Sequence, residues 1–192
     1  AHRDGAEFEG LTNAQFDEKH GWLFEQLDHV IPRMQALQAA FREKKIEVLY
    51  TTIESLTLDG RDRSLDYKIT GFNVAKGSWD GKVIDQIAPS EDEIVFPKSS
   101  SSVFVSTHID YVLRNLGITA LFVTGVYTNE CVSTAIRDAS DLGFHVTLVP
   151  DACTTVTAEL QASTIRTLRD RYARVLKTAA AIREIRRLAA RV

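Results

Sequence analysis

The chain has two cysteines, and Cys131 is the one whose position favours thiol chemistry. It follows a nearly continuous apolar stretch over residues 120–126 and opens a helical pattern over residues 131–142. A cysteine at a helix start faces free backbone N–H groups and the positive end of the helix dipole, which favour the reactive thiolate. The same N–H groups could hold the oxyanion formed when a carbonyl is attacked. The alternative is a buried small residue, the usual fate of a free cysteine.

Lys98 is the candidate cationic partner of this thiol. It follows a short apolar segment, residues 93–96. If that strand neighbours the strand over residues 120–126, the ammonium can stabilise both a thiolate and an oxyanion. Spacing alone favours the other interpretation, a surface lysine.

The order of patterns along the chain predicts an α/β fold, a three-layer α/β/α sandwich around a mostly parallel central sheet. We predict strands over residues 46–53, 93–96, 120–126, 145–149 and 173–176, and helices over residues 20–41, 110–116, 131–142, 157–172 and 179–188. Pro32 predicts a break in the first helix. Residues 54–92 are polar and lack periodicity, which is typical of a functional loop. Ligands of such sheets bind beyond the carboxyl ends of the strands, where Lys98 and Cys131 are both expected.

Composition excludes several classes of function. The 192 residues suit one domain spanning residues 1–192, and the net charge of -3 gives no basic footprint for nucleic acid. No apolar run approaches the roughly 20 residues that span a bilayer. With two cysteines and no CxxC or HExxH motif, we expect a reducing compartment, the cytoplasm, with no metal and no cofactor.

Residues 122–132 carry a resemblance to a known family. They read FVTGVYTNECV, and this resembles the nucleophile motif of isochorismatase-like hydrolases: an apolar strand, Thr-Gly, an aliphatic residue, a variable residue, Thr-Asn, another variable residue, then Cys-Val. Upstream, Lys98 with Ser102, Phe104 and Thr107 resembles the lysine motif of that family. The resemblance runs from about residue 20 to residue 190.

The resemblance implies a mechanism. The family uses an Asp-Lys-Cys triad, in which the cysteine attacks a carbonyl carbon. The aspartate carries the thiol proton to the leaving amine, and the lysine holds the charges in place. Cys131 and Lys98 match two of these residues. The family also has a cis peptide that falls here between Val126 and Tyr127, which would place the Tyr127 N–H beside the Cys131 N–H at the oxyanion.

The sequence departs from the family pattern at the aspartate. The family residue ends a first apolar strand, and neither Asp4 nor Asp17 follows such a strand. The role is therefore not assigned to either. We expect the strand and its aspartate to precede Ala1, because the sheet would otherwise expose two bare edges. The other possibility is that the protein dispenses with the aspartate.

A second departure concerns metals. Some relatives, the nicotinamidases, bind a metal through an aspartate and several histidines in the region that matches residues 50–75. That region has Asp59, Asp62 and Asp66 but no histidine. We therefore predict no catalytic metal, with these carboxylates on a solvated loop.

Residues 75–80, which read AKGSWD, are similar to a segment of ureidoacrylate amidohydrolases, one branch of the family. Trp79 is a candidate pocket wall, and the alternative of equal weight is a ring that packs a loop onto the domain. Further substrate-lining candidates are Glu54, Asn73 and Tyr127. The sequence thus predicts hydrolysis of a C–N bond in a small amide, ureido or carbamoyl substrate, through a thioester or thiocarbamate on Cys131.

Two other functions stay open at this point. One is hydrolysis of an isochorismate-type vinyl ether, which needs no covalent cysteine. The other is a non-catalytic binding module with this fold. Family members are commonly homo-oligomers, so we also expect a dimer or tetramer in which part of residues 54–92 packs on another subunit.

Overall fold

Parallel strands alternate with helices in the computed structural model, which describes residues 5 and 8–188. The strands are β1 (Tyr50–Ile53), β2 (Val95–Lys98), β3 (Ala120–Val126), β4 (His145–Thr154) and β5 (Arg174–Val175). The helices are α1 (Asn13–Glu43), α2 (Leu65–Thr70), α3 (Val103–Ser106), α4 (Ile109–Asn115), α5 (Ser133–Asp141), α6 (Ala158–Leu168) and α7 (Thr178–Arg187). No helix within this part of the chain combines the length and apolar character needed to cross a membrane.

The strands of the predicted mostly parallel arrangement are hydrogen-bonded as two parallel sheets. β1 pairs with β2, and β3, β4 and β5 form the second sheet in that order. Over the described residues no strand lies between β1 and β3 to join them by hydrogen bonds. The predicted parallel, helix-flanked α/β architecture is confirmed.

Two hydrophobic clusters lie on the two faces of β4. Val146 and Leu148 belong to a cluster that includes α4 and α5 side chains, whereas Val149 and Ala152 pack with side chains of α1 and α7. Both faces of this strand are therefore covered, which explains its continuous run of buried residues.

Helix α1 is continuous through Pro32, so the predicted break there was wrong. The helix starts with a capping box between Thr12 and Gln15. Val30 and Met34, which precede and follow Pro32 in the sequence, are buried in the same hydrophobic cluster. Packing of this face against β4 and α7 stabilises the helix across the position where the proline removes a hydrogen bond.

The segment over residues 54–92 is more ordered than the predicted loop. It contains α2 and two 3₁₀ turns, Trp79–Gly81 and Asp85–Ile87. Asp62 is only partly exposed, and it accepts hydrogen bonds from the Leu56 N–H at 2.8 Å and the Thr57 hydroxyl at 2.6 Å. Burial opposes ionisation of this carboxyl, but those bonds outweigh it and lower the pKa of Asp62 to about 2. Asp62 thus lies in a partly exposed turn of this segment, and its carboxylate organises that turn.

Candidate active site

The connection from β3 to α5 carries Cys131. The peptide bond between Val126 and Tyr127 is cis, at the position that the family resemblance implies. A π-helical turn, Thr128–Val132, follows, and α5 begins at Ser133. Cys131 therefore lies in the turn before α5, whereas the sequence predicted that it opens the helix. The turn is closed by the N–H groups of Glu130 and Val132, which both donate to the Tyr127 carbonyl.

Side chains around this turn fix its position. The Asn129 side chain accepts a hydrogen bond from the Thr155 hydroxyl, which joins the turn to the chain just beyond β4. The Ser133 hydroxyl donates to the Asn129 carbonyl at 2.9 Å. Cys131 itself is partly exposed, and its backbone is held on both sides.

Lys98 and Cys131 meet, as predicted. Lys98 is the last residue of β2 and is only 3% exposed. Its Nζ donates to Cys131 Sγ at 3.2 Å and to the Ser100 carbonyl at 2.7 Å. A buried ammonium has lost most of its water, so these contacts stabilise it and direct its charge at the sulfur.

Tyr67 is a site residue that the sequence did not reveal. It lies on α2, is 7% exposed, and its hydroxyl oxygen is 4.0 Å from Cys131 Sγ. Its ring makes an edge-on contact with Phe72, with centroids 5.1 Å apart. The short helix in a polar segment gave no periodic signal, and sequence spacing alone does not indicate which residue of such a segment faces the cysteine.

Two carboxyl groups lie near this cluster. Glu130 neighbours Cys131 in the turn and Asp66 neighbours Tyr67 on α2, and both residues reach solvent. Partial burial of its carboxyl raises the pKa of Glu130, the Asp66 charge raises it further, and the Lys98 charge acts in the opposite direction. The mouth of the site therefore has a carboxyl group that takes up a proton more readily than an isolated glutamate.

The remaining predicted lining residues lie in or beside the segment over residues 54–92. Trp79 is 52% exposed on its 3₁₀ turn. Glu54 accepts a hydrogen bond from the Gly77 N–H at 2.8 Å, and Asn73 Oδ1 accepts one from the Ser55 hydroxyl at 3.0 Å. These bonds hold the loops in place, and contact of the three side chains with a substrate stays a prediction, as it does for Tyr127.

An open cavity of about 430 Å³ lies beside β2 but does not include Cys131 or Lys98. Its walls include Val95 and Pro97 of β2, together with Glu54 and Gly81. Side chains alternate along a strand, and the buried Phe96 and Lys98 lie on the other face of β2. We therefore place the candidate site at the Lys98–Cys131 contact rather than in this cavity.

Comparison with known proteins identifies the family. The model of the isochorismatase domain matches residues 10–180. The chain belongs to the isochorismatase family. Both halves of the site described above, β2 with Lys98 and the turn with Cys131, lie inside the matched range.

Individual known proteins are also similar to this chain. The chain is 39% identical over 85 residues to ureidoacrylate amidohydrolase RutB of Klebsiella pneumoniae; that stretch is 44% of this chain and 36% of the relative. The match thus spans about a third of the length of this relative. A cysteine hydrolase from Pseudomonas syringae pv. phaseolicola has a TM-score of 0.78 and 26% identity, covering 83% of this chain and 81% of that one. N-carbamoylsarcosine amidase from Thermoplasma acidophilum has the same fold, with a TM-score of 0.68 and 24% identity over 80% and 85% of the two chains.

The described part of this isochorismatase-family chain contains no group of three or more His, Cys, Asp or Glu side chains placed to hold a metal ion. Asp17 is exposed on α1, and Asp4 lies outside the described residues. Among the residues described, the hydrogen-bond partners of Cys131 Sγ are Lys98 and Tyr67.

The two free cysteines are expected to react very differently with an electrophile. Burial raises the pKa of the Cys153 thiol to about 12, and the Asp151 charge adds to this, against a hydrogen bond from the Gly125 backbone. At pH 7.5 iodoacetamide should label Cys131 to one equivalent and leave Cys153 unmodified, as measured by peptide mass spectrometry. Cys131→Ala is the control and should lose the fast labelling. Equal, slow labelling of both thiols would contradict an activated Cys131 and favour a binding module.

Proposed function

We propose that this protein hydrolyses a C–N bond in a small amide, ureido or carbamoyl substrate through a covalent intermediate on Cys131. The observation that carries the proposal is the 3.2 Å contact between the buried Lys98 Nζ and the Cys131 sulfur. A cation beside a partly exposed thiol at the carboxyl end of a β-strand is the arrangement that nucleophilic attack on a carbonyl requires.

The proposed reaction has two halves. The Cys131 thiolate attacks the carbonyl carbon and forms a C–S bond, and the carbonyl oxygen becomes an oxyanion near the Lys98 charge and the backbone N–H groups of Tyr127 and Cys131. The C–N bond then breaks, and the amine or ammonia leaves with the proton that the thiol gave up. Water attacks the resulting thioester or thiocarbamate, the C–S bond breaks, and the thiol is restored.

Proton transfer in this scheme is assigned by the family to an aspartate. No carboxylate among residues 5 and 8–188 hydrogen-bonds the Cys131 sulfur. The proposal therefore gives the described residues the covalent and electrostatic roles alone: Cys131 forms the bond, and Lys98 stabilises the negative charge first on sulfur and then on oxygen.

The ureido group is the favoured substrate class within this proposal. The partial match to ureidoacrylate amidohydrolase RutB supports it, together with the segment AKGSWD at residues 75–80. Trp79 in that segment presents an exposed ring, which can cover a planar ureido group while its N–H meets a carbonyl oxygen.

A screen of ammonia release across small amides, ureides and N-carbamoyl compounds tests the function. We expect turnover of at least one ureido or carbamoyl compound, with Cys131→Ala as the inactive control. Release that persists in this variant would refute the covalent scheme. Turnover of an isochorismate-type vinyl ether, with no C–N substrate accepted, would favour that chemistry instead.

We also propose that the protein is a homo-oligomer, a dimer or tetramer that uses residues 54–92. Leu58, Leu65 and Ile69 are each more than 70% exposed, and the last two lie one turn apart on the same face of α2. Such exposed apolar side chains are typical of an interface. Light scattering should give a multiple of the 21.4 kDa chain mass, and Ile69→Glu should lower it.

The matched control for this change is Val105→Glu, which adds the same charge at a 79% exposed apolar position outside the segment. It should leave the measured mass unchanged. A wild-type protein that is a clean monomer at working concentration would contradict the proposed assembly.

A further inference from the structure

Helix α2 is fixed to the strand end that carries Lys98. The Ser64 N–H, just before α2, donates to the Ser99 carbonyl at 3.0 Å. Ser99 directly follows Lys98, so α2 and the lysine share one anchor point. The Tyr67 side chain is thereby held over the turn that contains Cys131, and its contact with Phe72 fixes the ring from the other side.

The Tyr67 hydroxyl has a polar group on either side. Its oxygen is 4.0 Å from Cys131 Sγ, and the Ser101 side chain is near enough to lower its pKa. Ser101 belongs to the same loop as Ser100, whose carbonyl accepts from Lys98 Nζ. The sulfur therefore has an ammonium at 3.2 Å and a phenol at 4.0 Å, both positioned by the residues that follow β2.

The phenol is in the protonated form that can donate. Burial raises the pKa of Tyr67, and the charge of the Cys131 sulfur raises it further, while the hydrogen bond with Ser101 acts the other way. The other titratable groups that face this cluster are Lys98 from β2, Asp66 from α2 and Glu130 from the turn. At neutral pH the phenolic O–H can donate a hydrogen bond to a negatively charged sulfur. A hydroxyl that also accepts a hydrogen bond from Ser101 donates more strongly.

We infer that Tyr67 is a positioning residue, whose O–H donates to the Cys131 thiolate and holds the sulfur opposite Lys98. The inference rests on the proposed use of Cys131 as a nucleophile. Lys98 alone would fix the charge but leave the sulfur free to turn about the Cα–Cβ bond. A second donor from a different element defines one direction of approach for the carbonyl carbon.

The test is the pH profile of Cys131 alkylation by iodoacetamide, measured without substrate in Tyr67→Phe. This change keeps the ring and its contact with Phe72 but removes the donor. A thiolate that loses a donor forms less readily, so the midpoint should move to higher pH and the rate at pH 7 should fall about 10-fold, as for a hydrogen bond to a charged group. The control is Tyr111→Phe, the same change at a 69% exposed position on α4.

Turnover adds a second readout, since kcat should fall in Tyr67→Phe with little change in KM. A Tyr67→Phe alkylation profile that superimposes on the wild-type profile would overturn the inference, whatever happens to turnover. If this variant does not fold, Ser101→Ala should shift the midpoint in the same direction by less, and an unchanged profile in that variant would equally overturn it. Failure of the proposed function appears separately, as normal thiol profiles with no substrate turned over.

Discussion

Replacing Cys131 by alanine is expected to abolish turnover and leave the fold intact. Cys131 is partly exposed and belongs to neither hydrophobic cluster, so the change creates little cavity. The reaction loses its nucleophile. Removal of a nucleophile that acts together with its partner residues lowers kcat by a factor on the order of 10⁶. Steady-state kinetics and a thermal midpoint measure the two effects.

Cys153→Ala is the matched control for this variant. Cys153 is 3% exposed and packs in the cluster with α5, so its loss should lower the thermal midpoint but keep most of the activity. Cys131→Ala is thus expected to lose catalysis and keep stability, whereas Cys153→Ala should lose stability and keep most of the catalysis. Substantial activity in Cys131→Ala would refute the covalent mechanism and leave the vinyl ether reaction as the alternative.

Lys98→Ala is expected to reduce catalysis far more than stability. The ammonium lies 3.2 Å from Cys131 Sγ in a buried position, where its charge stabilises the thiolate and then the oxyanion. Loss of a comparable oxyanion-hole donor costs on the order of 10²–10³ in kcat, roughly 2.7–4 kcal/mol. Removal of a desolvated charge also relieves a folding cost, so the thermal midpoint should change little or rise slightly.

Two further variants sharpen this result. Lys98→Arg should not restore full activity, because a planar guanidinium does not replace a compact ammonium between the sulfur and the Ser100 carbonyl. Lys68→Ala removes an exposed lysine from α2 and should leave kcat/KM unchanged. Near-normal kinetics in Lys98→Ala would remove this residue from the active site.

The strands and the two central residues could be predicted because the signals are local. The apolar run that forms β3 predicts a strand of a parallel sheet, although its residues are only partly buried, and parallel strands bring their carboxyl ends to one edge. Lys98 and Cys131 each follow such a run, so their meeting required only the order of the elements. The family motif around each residue then indicated the chemistry.

Other features depend on contacts that sequence patterns do not encode. The division into two sheets depends on which strand edges pair, and α1 continues through Pro32 because distant side chains pack on both sides of it. Tyr67 reaches Cys131 only through the fold of the polar segment before it. Its position could not be predicted, because α2 has six residues and no apolar periodicity.

The Asp62 turn makes the segment that carries Tyr67 sensitive to acid. The pKa of Asp62 falls from its ordinary 3.8 to about 2, so its contribution to stability is complete above about pH 4 and disappears as the pH drops towards 2. That contribution acts on the segment that carries Tyr67. The rest of the fold has a similar dependence, because the hydrogen bonds from Arg42 on α1 lower the pKa of Glu93. Acid below about pH 4 therefore weakens the turn that holds this segment beside Cys131 as well as the contact of α1 with the chain before β2.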